Sequence, residues 1–244
     1  MADFYLSIVI PAYNEALRVG KTLEDIRSYA ASKPFETEII LVDDGSSDGT
    51  VELFRQSQSI WPATRIFQNE TNRGKGYSVR RGVLEARGTL ILFTDADLSA
   101  PIEEADKLLA RLESEKADAA VGSRALDRSL IGVRQPWRRE YAGRGFNLLV
   151  RLFTGLGIHD TQCGLKLFRK DSTRRAFELQ RVERFGFDPE VLFLIRRRGG
   201  KIVEVPVRWN DNPATKVHFL RDSSRMFLDL IVLRWRAWTG QHSF

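Results

Sequence analysis

The sequence is poor in the residues that build disulfides and zinc sites. It contains one cysteine, Cys163, and three histidines, His159, His218 and His242, in 244 residues. A single cysteine excludes an intramolecular disulfide, and the histidines are too scattered to form a zinc site. We therefore expect a protein of a reducing compartment, the cytoplasm, whose histidines are surface or packing residues.

Long apolar runs are also absent. No stretch reaches the about 18 consecutive apolar residues that a transmembrane helix needs. The N-terminal segment has an acidic residue, Asp3, where a signal peptide needs basic ones, and its apolar run stops at Pro11. These patterns predict a soluble or peripheral protein.

The sequence has no Walker loop. The segment NRGKGYS, residues 72–78, places its lysine between two glycines and has the wrong spacing, which disfavours ATP hydrolysis. On its own the segment is a helix-entry turn or a place where backbone approaches a phosphate, and the pattern leaves both open.

The charge balance favours an anionic partner. Lysine and arginine number 38 against 32 acidic residues, which gives a net charge of +6 and an isoelectric point near 9.6. Nucleic acid, phospholipid headgroups and phosphorylated substrates all fit this balance, and charge alone does not choose among them. The apolar fraction of 43% is typical of a folded globular chain.

Two kinds of segment alternate along the first half of the chain. In one kind the apolar residues are spaced as in a strand, and in the other as in a helix. Short apolar runs at Tyr5–Ile10, TEIILVDD, 65–68 and TLILFTD are separated by helical stripes. This alternation predicts an α/β, Rossmann-like fold, with a mostly parallel central sheet and helices on both faces. We expect one domain over residues 1–244, with a nucleotide-binding half to about 124 and an acceptor-binding half from about 125.

Polar motifs follow three of the predicted strands. They are PAYNE after the first, DDGSSDG after the second and DADLS after the strand that begins at Leu90. Each motif alone is commonly a turn or a helix cap. In an open parallel sheet, however, ligands bind beyond the carboxyl ends of the strands, so the three motifs are expected to converge on one site.

Asp95 and Asp97 suit a hard metal ion. Two carboxylates one residue apart at a strand end can hold Mg²⁺ or Mn²⁺, which prefer oxygen ligands and commonly take the remaining ligands from water and substrate phosphates. Such a metal would neutralise charge on a diphosphate leaving group. The pair is predicted to be half of a metal site that a diphosphate completes.

A longer series of motifs carries a family resemblance. In order they are SIVIPAYNE, ILVDDGSSDGT, NRGKGYSVRRG, FTDADLSAP, VGSR, DTQCGLKLF, FGFDPEVL and LRDSSRMFLDL. The sequence resembles family 2 glycosyltransferases of the GT-A fold, within the dolichyl-phosphate glucosyltransferase and polyprenyl-phosphate mannosyltransferase group. The resemblance implies an inverting transfer of a hexose from a nucleotide-sugar to a polyprenyl or dolichyl phosphate.

The resemblance also implies which residues bind the donor. The nucleotide-sugar site would comprise Pro11, Ala12, Tyr13, Glu15, Asp43, Asp44, Lys75, Asp95, Ala96, Asp97, Arg124 and Gln162, with the metal on Asp95 and Asp97. Mannosyltransferase relatives often carry glutamine where this chain has Ser99, which favours glucose from UDP-glucose over mannose from GDP-mannose.

The acceptor side is predicted from charge. Guanidinium groups bind phosphate bidentately, and we expect Arg138 or Arg139, with Lys216 and Arg221, to clamp the acceptor phosphate. An anionic phosphate oxygen needs little base activation. Asp160 is the first candidate for a base or an orienting group, and Asp188 is the second. Buried packing is expected for Cys163, since an inverting transfer needs no covalent intermediate.

Two segments rich in arginine and aromatic residues suit a membrane surface. They are PWRREYAGRGFNLLVRLF and the C-terminal MFLDLIVLRWRAW. Such amphipathic segments bind anionic bilayers, here the cytoplasmic face of a membrane, and the alternative is that both segments pack on the domain or on a second subunit. Oligomerisation is left open.

Two further functions compete with lipid glycosylation. One is transfer to a saccharide hydroxyl, which would need a stronger carboxylate base. The other is a non-catalytic basic protein that binds membranes or nucleic acid. The second explains the charge but leaves the three strand-end motifs without a purpose, and no common nucleic-acid motif is evident, so we expect no nucleic-acid partner.

Overall fold

A computed structural model of the chain describes residues 4–212 and 219–239, with the backbone alone from 219 to 223. Seven of its segments form one sheet. The strands are β1 (Leu6–Ala12), β2 (Thr37–Asp43), β3 (Thr64–Gln68), β4 (Leu90–Thr94), β5 (Ala119–Ser123), β6 (Leu165–Arg169) and β7 (Ile202–Pro206). Their order across the sheet is β3-β2-β1-β4-β6-β5-β7.

Helices connect the strands and cover the sheet. The α-helices of the described residues are α1 (Val19–Ala31), α2 (Thr50–Ile60), α3 (Lys75–Glu85), α4 (Ala105–Ser114), α5 (Trp137–Thr154), α6 (Lys170–Leu179), α7 (Phe187–Arg197) and α8 (Phe219–Trp238). Short 3₁₀ turns lie at Ile102–Glu104 and Arg128–Leu130.

The two faces of the sheet bury separate apolar cores. In β1, Leu6 and Ile8 pack against α1 and α4 on one face, and Val9 packs on the other face in the core that also contains residues of α3 and α7. All seven residues of β2 are buried. Strands buried on both sides explain the near-continuous apolar runs in the sequence and confirm the predicted α/β fold with helices on both faces.

One strand departs from the parallel arrangement. β6 runs antiparallel to its neighbours β4 and β5, whereas the other paired strands are parallel. Thr94, the last residue of β4, therefore lies opposite Leu165, the first residue of β6. The loop that precedes β6 consequently ends beside the DAD motif, at the edge where the parallel strands terminate.

The first strand is longer than its apolar run suggests. β1 continues through Pro11 to Ala12, and both residues pair with β2. On its other side, β1 pairs with β4 only from Leu6 to Val9. Pro11 lies beyond that pairing, where its missing N–H group interrupts no hydrogen bond to β4.

Candidate active site

The DAD motif leaves β4 at the carboxyl edge of the sheet. The carbonyl oxygen of Ala96 accepts a hydrogen bond of 2.7 Å from the Thr22 hydroxyl of α1, and the Asp97 carboxylate accepts one of 3.1 Å from the backbone N–H of Ser99. These two bonds fix the turn that separates Asp95 from Asp97. The backbone between the two carboxylates is thereby fixed, together with the Asp97 side chain.

Asp95 lies between a lysine and a glycine. Its Oδ1 is 2.7 Å from Nζ of Lys75, the first residue of α3. A Cβ atom added to Gly164 would lie 2.0 Å from Asp95 Oδ2, so glycine is needed there for the loop before β6 to pass. Burial lowers the pKa of Lys75, but the carboxylates of Asp95 and Asp188 outweigh this effect and leave it raised, so the lysine is a cation.

Asp97 has a weaker counter-charge. The nearest basic group in the described structure is Nη1 of Arg18, 3.9 Å from Asp97 Oδ2, and Arg18 also pairs with Glu15. Burial raises the pKa of Asp97, and the negative charge of Asp95 raises it further. A carboxylate whose charge is incompletely compensated gains most from a bound cation.

The donor set at this edge fits a divalent cation with substrate ligands. Among residues 4–212 and 219–239 there is no group of three or more histidine, cysteine, aspartate or glutamate side chains arranged to hold a metal. Asp95 and Asp97 offer only two carboxylates, which are hard oxygen ligands of the kind that Mg²⁺ and Mn²⁺ take together with phosphate oxygens and water.

The carboxylates at the end of β2 are bound to backbone. Asp44 accepts hydrogen bonds from the N–H of Arg73 at 3.0 Å and of Gly74 at 2.8 Å, and from the Asn69 amide at 2.8 Å. Asp43 accepts from the N–H of Ser46 at 3.2 Å. Asp44 thus holds the loop that leads into Lys75, and Asp43 braces its own turn.

The other residues of the predicted nucleoside pocket surround these two. Tyr13 is partly exposed beside β1, and Glu15 is buried, with its N–H donating to the Thr50 hydroxyl at 2.8 Å. Pro11 and Ala12 are buried within β1 and offer backbone rather than side chains to a ligand. The structure therefore brings the predicted donor-side residues to one edge of the sheet.

Arg124 and Asp160 form a bidentate ion pair next to this edge. Arg124 Nε and Nη2 lie 2.6 and 2.8 Å from the two Asp160 oxygens, and the Arg124 N–H donates to the same carboxylate at 3.0 Å. Burial raises the pKa of Asp160, but Arg124 outweighs it and holds the pKa below its usual value. Burial lowers the pKa of Arg124, but Asp160 outweighs this effect and leaves the pKa raised, with a smaller contribution from Asp95.

The residues after Asp160 continue toward the DAD motif. Gln162 donates its N–H to Asp160 at 3.2 Å, and its side-chain Nε2 is buried without a hydrogen-bond partner among the described residues. An unpartnered buried donor of this kind is available to a ligand hydroxyl. Burial raises the pKa of the Cys163 thiol to about 11, so it is inert as a nucleophile at neutral pH.

Asp188 is buried behind the site. Its Oδ1 is 2.6 Å from Nζ of Lys166, which is 1% exposed, and burial raises the pKa of Asp188 although Lys166 and Lys75 oppose it. Lys166 also donates to the carbonyl oxygen of Cys163. This ion pair supports the backbone beneath the DAD motif, and a group so enclosed is poorly placed to accept a proton from a substrate.

A basic cavity adjoins the Arg124–Asp160 pair. Its volume is ≈ 280 Å³, and Arg128, Arg134, Arg144 and Arg151 join Arg124 in its wall. Glu140 pairs with Arg128 and Arg144. In the part of the chain that the structure describes, Arg134 and Arg151 have no acidic partner within ion-pair distance. Leu148, Ile131 and Trp209 supply apolar lining, so one end of a ligand could be anionic and the other apolar.

The two described residues of the predicted acceptor clamp, Arg138 and Arg139, lie apart from this lining. Arg139 Nη1 is 3.5 Å from Asp211, and Arg138 stacks on the ring of Trp137 at 5.4 Å. Neither residue lines the cavity. Lys216 and the side chain of Arg221 lie outside the described residues. The roles assigned to these four residues therefore stay predictions.

Comparison with known proteins identifies the family. Residues 7–177 match the model described as glycosyl transferase family 2. The chain belongs to this family. A dolichyl-phosphate beta-glucosyltransferase of Trichomonas vaginalis is 37% identical over 98% of this chain and 74% of its own length. One of Saccharomyces cerevisiae is 34% identical over 95% and 75%. These findings confirm the predicted resemblance and the enzyme class.

Solved structures confirm the fold of this family 2 glycosyltransferase. Glucosyl-3-phosphoglycerate synthase from Mycobacterium tuberculosis, solved with Mn²⁺ and UDP-glucose, superposes with a TM-score of 0.70 at 18% identity, covering 96% of this chain and 79% of that one. Mannosyl-3-phosphoglycerate synthase from Rubrobacter xylanophilus gives 0.64 at 21%, covering 99% and 76%.

Several residues that shape the site were not predicted from the sequence. Arg18 follows Glu15 by three residues at the start of α1, and that spacing could have indicated a paired side chain. Gly164 gave no signal, because its importance depends on its contact with Asp95. Glu204 of β7 gave none either, because it accepts a hydrogen bond from Asp160 in the loop before β6. Of the arginines that line the cavity, Arg124 was expected on the donor side, and no pattern in the sequence grouped the others with it.

Proposed function

We propose that this chain transfers glucose from UDP-glucose to the phosphate of a polyprenyl phosphate of the dolichyl type. The observation that carries the proposal is that one loop borders both halves of the site: Gly164 abuts Asp95 of the DAD motif, and Asp160 lines the basic cavity. A donor phosphate and an acceptor phosphate would thus bind on either side of this loop. The names of the relatives support glucose and dolichyl phosphate.

The donor would occupy the carboxyl edge of the sheet. Asp95 and Asp97 would hold Mg²⁺ or Mn²⁺, and the metal would supply Lewis-acid neutralisation of the diphosphate. Lys75, a partly buried cation at the N-terminus of α3, lies where it can contact the same phosphates. Asp44 positions the backbone that presents Lys75, and Gln162 offers its unpartnered Nε2 to a sugar hydroxyl.

The acceptor phosphate would bind in the basic cavity. Bringing two anions together is the electrostatic difficulty of the reaction, and five arginines against the carboxylates of Glu140 and Asp160 leave the cavity positive. Because a phosphate oxygen is already anionic, a strong base is unnecessary. Asp160, with its lowered pKa and its bond to Arg124, suits the orienting role that was one of its two predicted functions.

The lipid chain would leave the cavity along apolar surface. Leu148 lines the cavity and is half exposed, and Leu152 lies one turn further along α5 with 71% of its area exposed. On α8, Trp235 and Trp238 are exposed as well. Amphipathic helices of this composition bind the interface of anionic bilayers, and we place the cytoplasmic face of a membrane here. No helix in the described part is long and apolar enough to cross a membrane.

The competing functions are less well supported. Mannose transfer from GDP-mannose would use the same site, but the two sequence relatives named above, from Trichomonas vaginalis and Saccharomyces cerevisiae, are dolichyl-phosphate glucosyltransferases. Transfer to a saccharide hydroxyl would require an accessible base, and both candidate carboxylates, Asp160 and Asp188, are ion-paired and at most 4% exposed. A non-catalytic role leaves the enzyme family without explanation.

Donor and metal dependence test the proposal. Purified protein is incubated with labelled UDP-glucose or GDP-mannose, a polyprenyl phosphate and Mg²⁺ or Mn²⁺, and label in the lipid phase is counted. We expect glucose-labelled lipid that EDTA abolishes and excess metal restores, and no label on the corresponding polyprenol. Label on the polyprenol or on an added saccharide, in place of the lipid phosphate, would contradict the proposed acceptor.

A further inference from the structure

The loop between α5 and β6, residues 155–164, is held by side chains instead of backbone pairing. Four consecutive N–H groups point at side-chain acceptors. His159 and Asp160 donate to Glu204, Thr161 donates to Asn147, and Gln162 donates to the carboxylate of Asp160. Buried backbone donors need such partners, so these acceptors determine the path of the loop.

Glu204 is the acceptor that reaches the loop from the sheet. It lies on β7, an edge strand, directly opposite Val121 of β5. Its carboxylate accepts from the N–H of Asp160 at 2.8 Å and from the N–H of His159 at 3.0 Å, and one oxygen is 3.0 Å from His159 Nδ1. Its side chain is only 10% exposed.

The charge of Glu204 is otherwise poorly compensated. In the described part of the chain, its ion-pair partner is His159, with no lysine or arginine within 4.0 Å. A carboxylate that is largely removed from water is costly unless it is hydrogen-bonded. The hydrogen bonds that offset this cost come from the backbone N–H groups of His159 and Asp160.

The loop is therefore clamped between two neighbouring strands. Glu204 of β7 holds the backbone of Asp160, and Arg124, which directly follows β5, holds its carboxylate through three hydrogen bonds. Arg124, His159 and Asp160 all line the basic cavity, whereas Glu204 does not. Glu204 thus acts on the cavity only through the residues that it holds.

We propose that Glu204 is a positioning residue for acceptor binding. It fixes the backbone of His159 and Asp160 so that Asp160 holds the Arg124 guanidinium in the wall of the basic cavity. The inference rests on the proposed function, because it assigns the acceptor phosphate to that cavity. Without the carboxylate, the loop would lose its attachment to the sheet and Arg124 would lose its fixed orientation.

The substitution Glu204→Gln tests this role. The amide keeps the shape of the side chain and one acceptor oxygen, but its NH₂ group replaces the second oxygen and then faces the N–H of His159, which is itself a donor. We expect the KM for polyprenyl phosphate to rise about tenfold, with a smaller change in kcat and an unchanged affinity for UDP measured by calorimetry. Amide hydrogen exchange should accelerate at His159 and Asp160 and stay slow in β1.

Controls separate positioning from folding. Glu113→Gln removes an exposed carboxylate that pairs with Arg169, and its KM values should match those of the unchanged protein. A merely structural role for Glu204 would lower the fraction of active enzyme and leave the acceptor KM unchanged, which would overturn the inference. If Glu204→Gln does not fold, Glu204→Asp, which keeps the charge on a shorter side chain, should still raise the acceptor KM, and an unchanged value there would overturn it.

The wild-type measurement distinguishes the two proposals. If the unchanged protein glucosylates no lipid phosphate, the proposed function fails before Glu204 is considered. If the unchanged protein is active and folded Glu204→Gln binds acceptor normally, only the positioning role fails.

Discussion

Three of the four aspartates discussed above as metal ligands or candidate bases have close basic partners, and one does not. Asp95, Asp160 and Asp188 lie 2.7, 2.6 and 2.6 Å from lysine or arginine nitrogens. Asp97 has its nearest described cation at 3.9 Å and a raised pKa. A divalent cation shared with a diphosphate would supply the missing positive charge, so Asp97 is the residue whose loss should affect donor binding most directly.

Asp97→Asn should abolish metal-dependent donor binding. The amide oxygen is a weaker ligand for a hard cation than a carboxylate. We expect the rate of glucose transfer to fall at least about 100-fold, equivalent to about 2.7 kcal/mol, and the Mn²⁺-dependent affinity for UDP to fall with it. Asp171→Asn, an exposed residue in the first turn of α6, is the control. A variant at Asp97 that binds UDP and Mn²⁺ normally would exclude its role as a ligand.

Gly164→Ala should damage the site through Asp95. The added Cβ would lie 2.0 Å from Asp95 Oδ2, so the carboxylate or the loop must move. We expect transfer to fall more than about tenfold, since small displacements of reacting groups cost large factors in rate. Gly157→Ala in the same loop is a matched control, because no atom lies within 4 Å of its added Cβ. Equal rates for the two alanine variants would contradict this packing argument.

The Asp160–Arg124 pair should make stability depend on pH. The pKa of Asp160 is lower in the folded state than its ordinary value of 3.8, so the ionised pair stabilises the fold above that value and the contribution is lost as pH falls through the folded-state pKa. Asp160→Asn should lower the free energy of unfolding by about 3 kcal/mol at pH 7. In urea titrations the difference should shrink below about pH 4; a difference that is constant with pH would show that the charge is not its cause.

At the scale of elements, α8 has two apolar sides with different surroundings. Leu230 and Leu233 are buried in the core that α7 also lines, and the ring of Phe227 contacts that of Phe153 on α5 with centroids 6.0 Å apart. Ile231 and Trp235 are exposed. The helix thus packs on the protein, which was one of the two expectations for this segment. Its exposed side still presents apolar surface, which suits the other expectation, membrane binding.

Trp235→Glu should weaken membrane binding without loss of the fold. The side chain is 51% exposed, so its replacement removes interfacial apolar area and adds repulsion from anionic lipid. In flotation with anionic liposomes at low salt, we expect the bound fraction to fall several-fold. Ile60→Glu at the end of α2, also exposed, is the control. Absence of binding by the unchanged protein would contradict direct membrane attachment.

The elements that the sequence predicted well are those whose signal is local. The apolar runs of β1, β2 and β4 and the polar residues that follow them placed Asp44, Asp95 and Asp97 at one edge, because parallel strands end together. The direction of β6 has no such local signal. Its apolar pattern is compatible with either direction, and only its pairing with β4 and β5 makes it antiparallel.

Glu204 and the cavity were unpredictable for a related reason. In KIVEVPV, Glu204 fits an alternating edge strand whose polar residue faces water, yet it accepts backbone hydrogen bonds from a loop 44 residues earlier. The cavity combines arginines on either side of the α5 start with Trp209 near the end of β7. Such groupings depend on tertiary packing, which cannot be predicted from the composition or from the spacing of apolar residues along the sequence.

At the scale of the whole molecule, the sheet joins the first and second halves of the chain. β6 and β7, from the second half of the chain, pair with β4 and β5, from the first half. The loop before β6 therefore reaches both Asp95 and the basic cavity. We propose that these two places serve one reaction, with the donor diphosphate at the first and the acceptor phosphate at the second.

The most direct test separates the two places kinetically. Transfer from UDP-glucose to polyprenyl phosphate is measured over a range of acceptor concentrations for the unchanged protein and for the double variant Arg134→Gln, Arg151→Gln, whose arginines have no described acidic partner. We expect the acceptor KM of the double variant to rise at least about tenfold, while calorimetry shows unchanged UDP and Mn²⁺ binding. An unchanged acceptor KM in the double variant would contradict binding of the acceptor phosphate in the basic cavity, because the phosphate would then bind elsewhere.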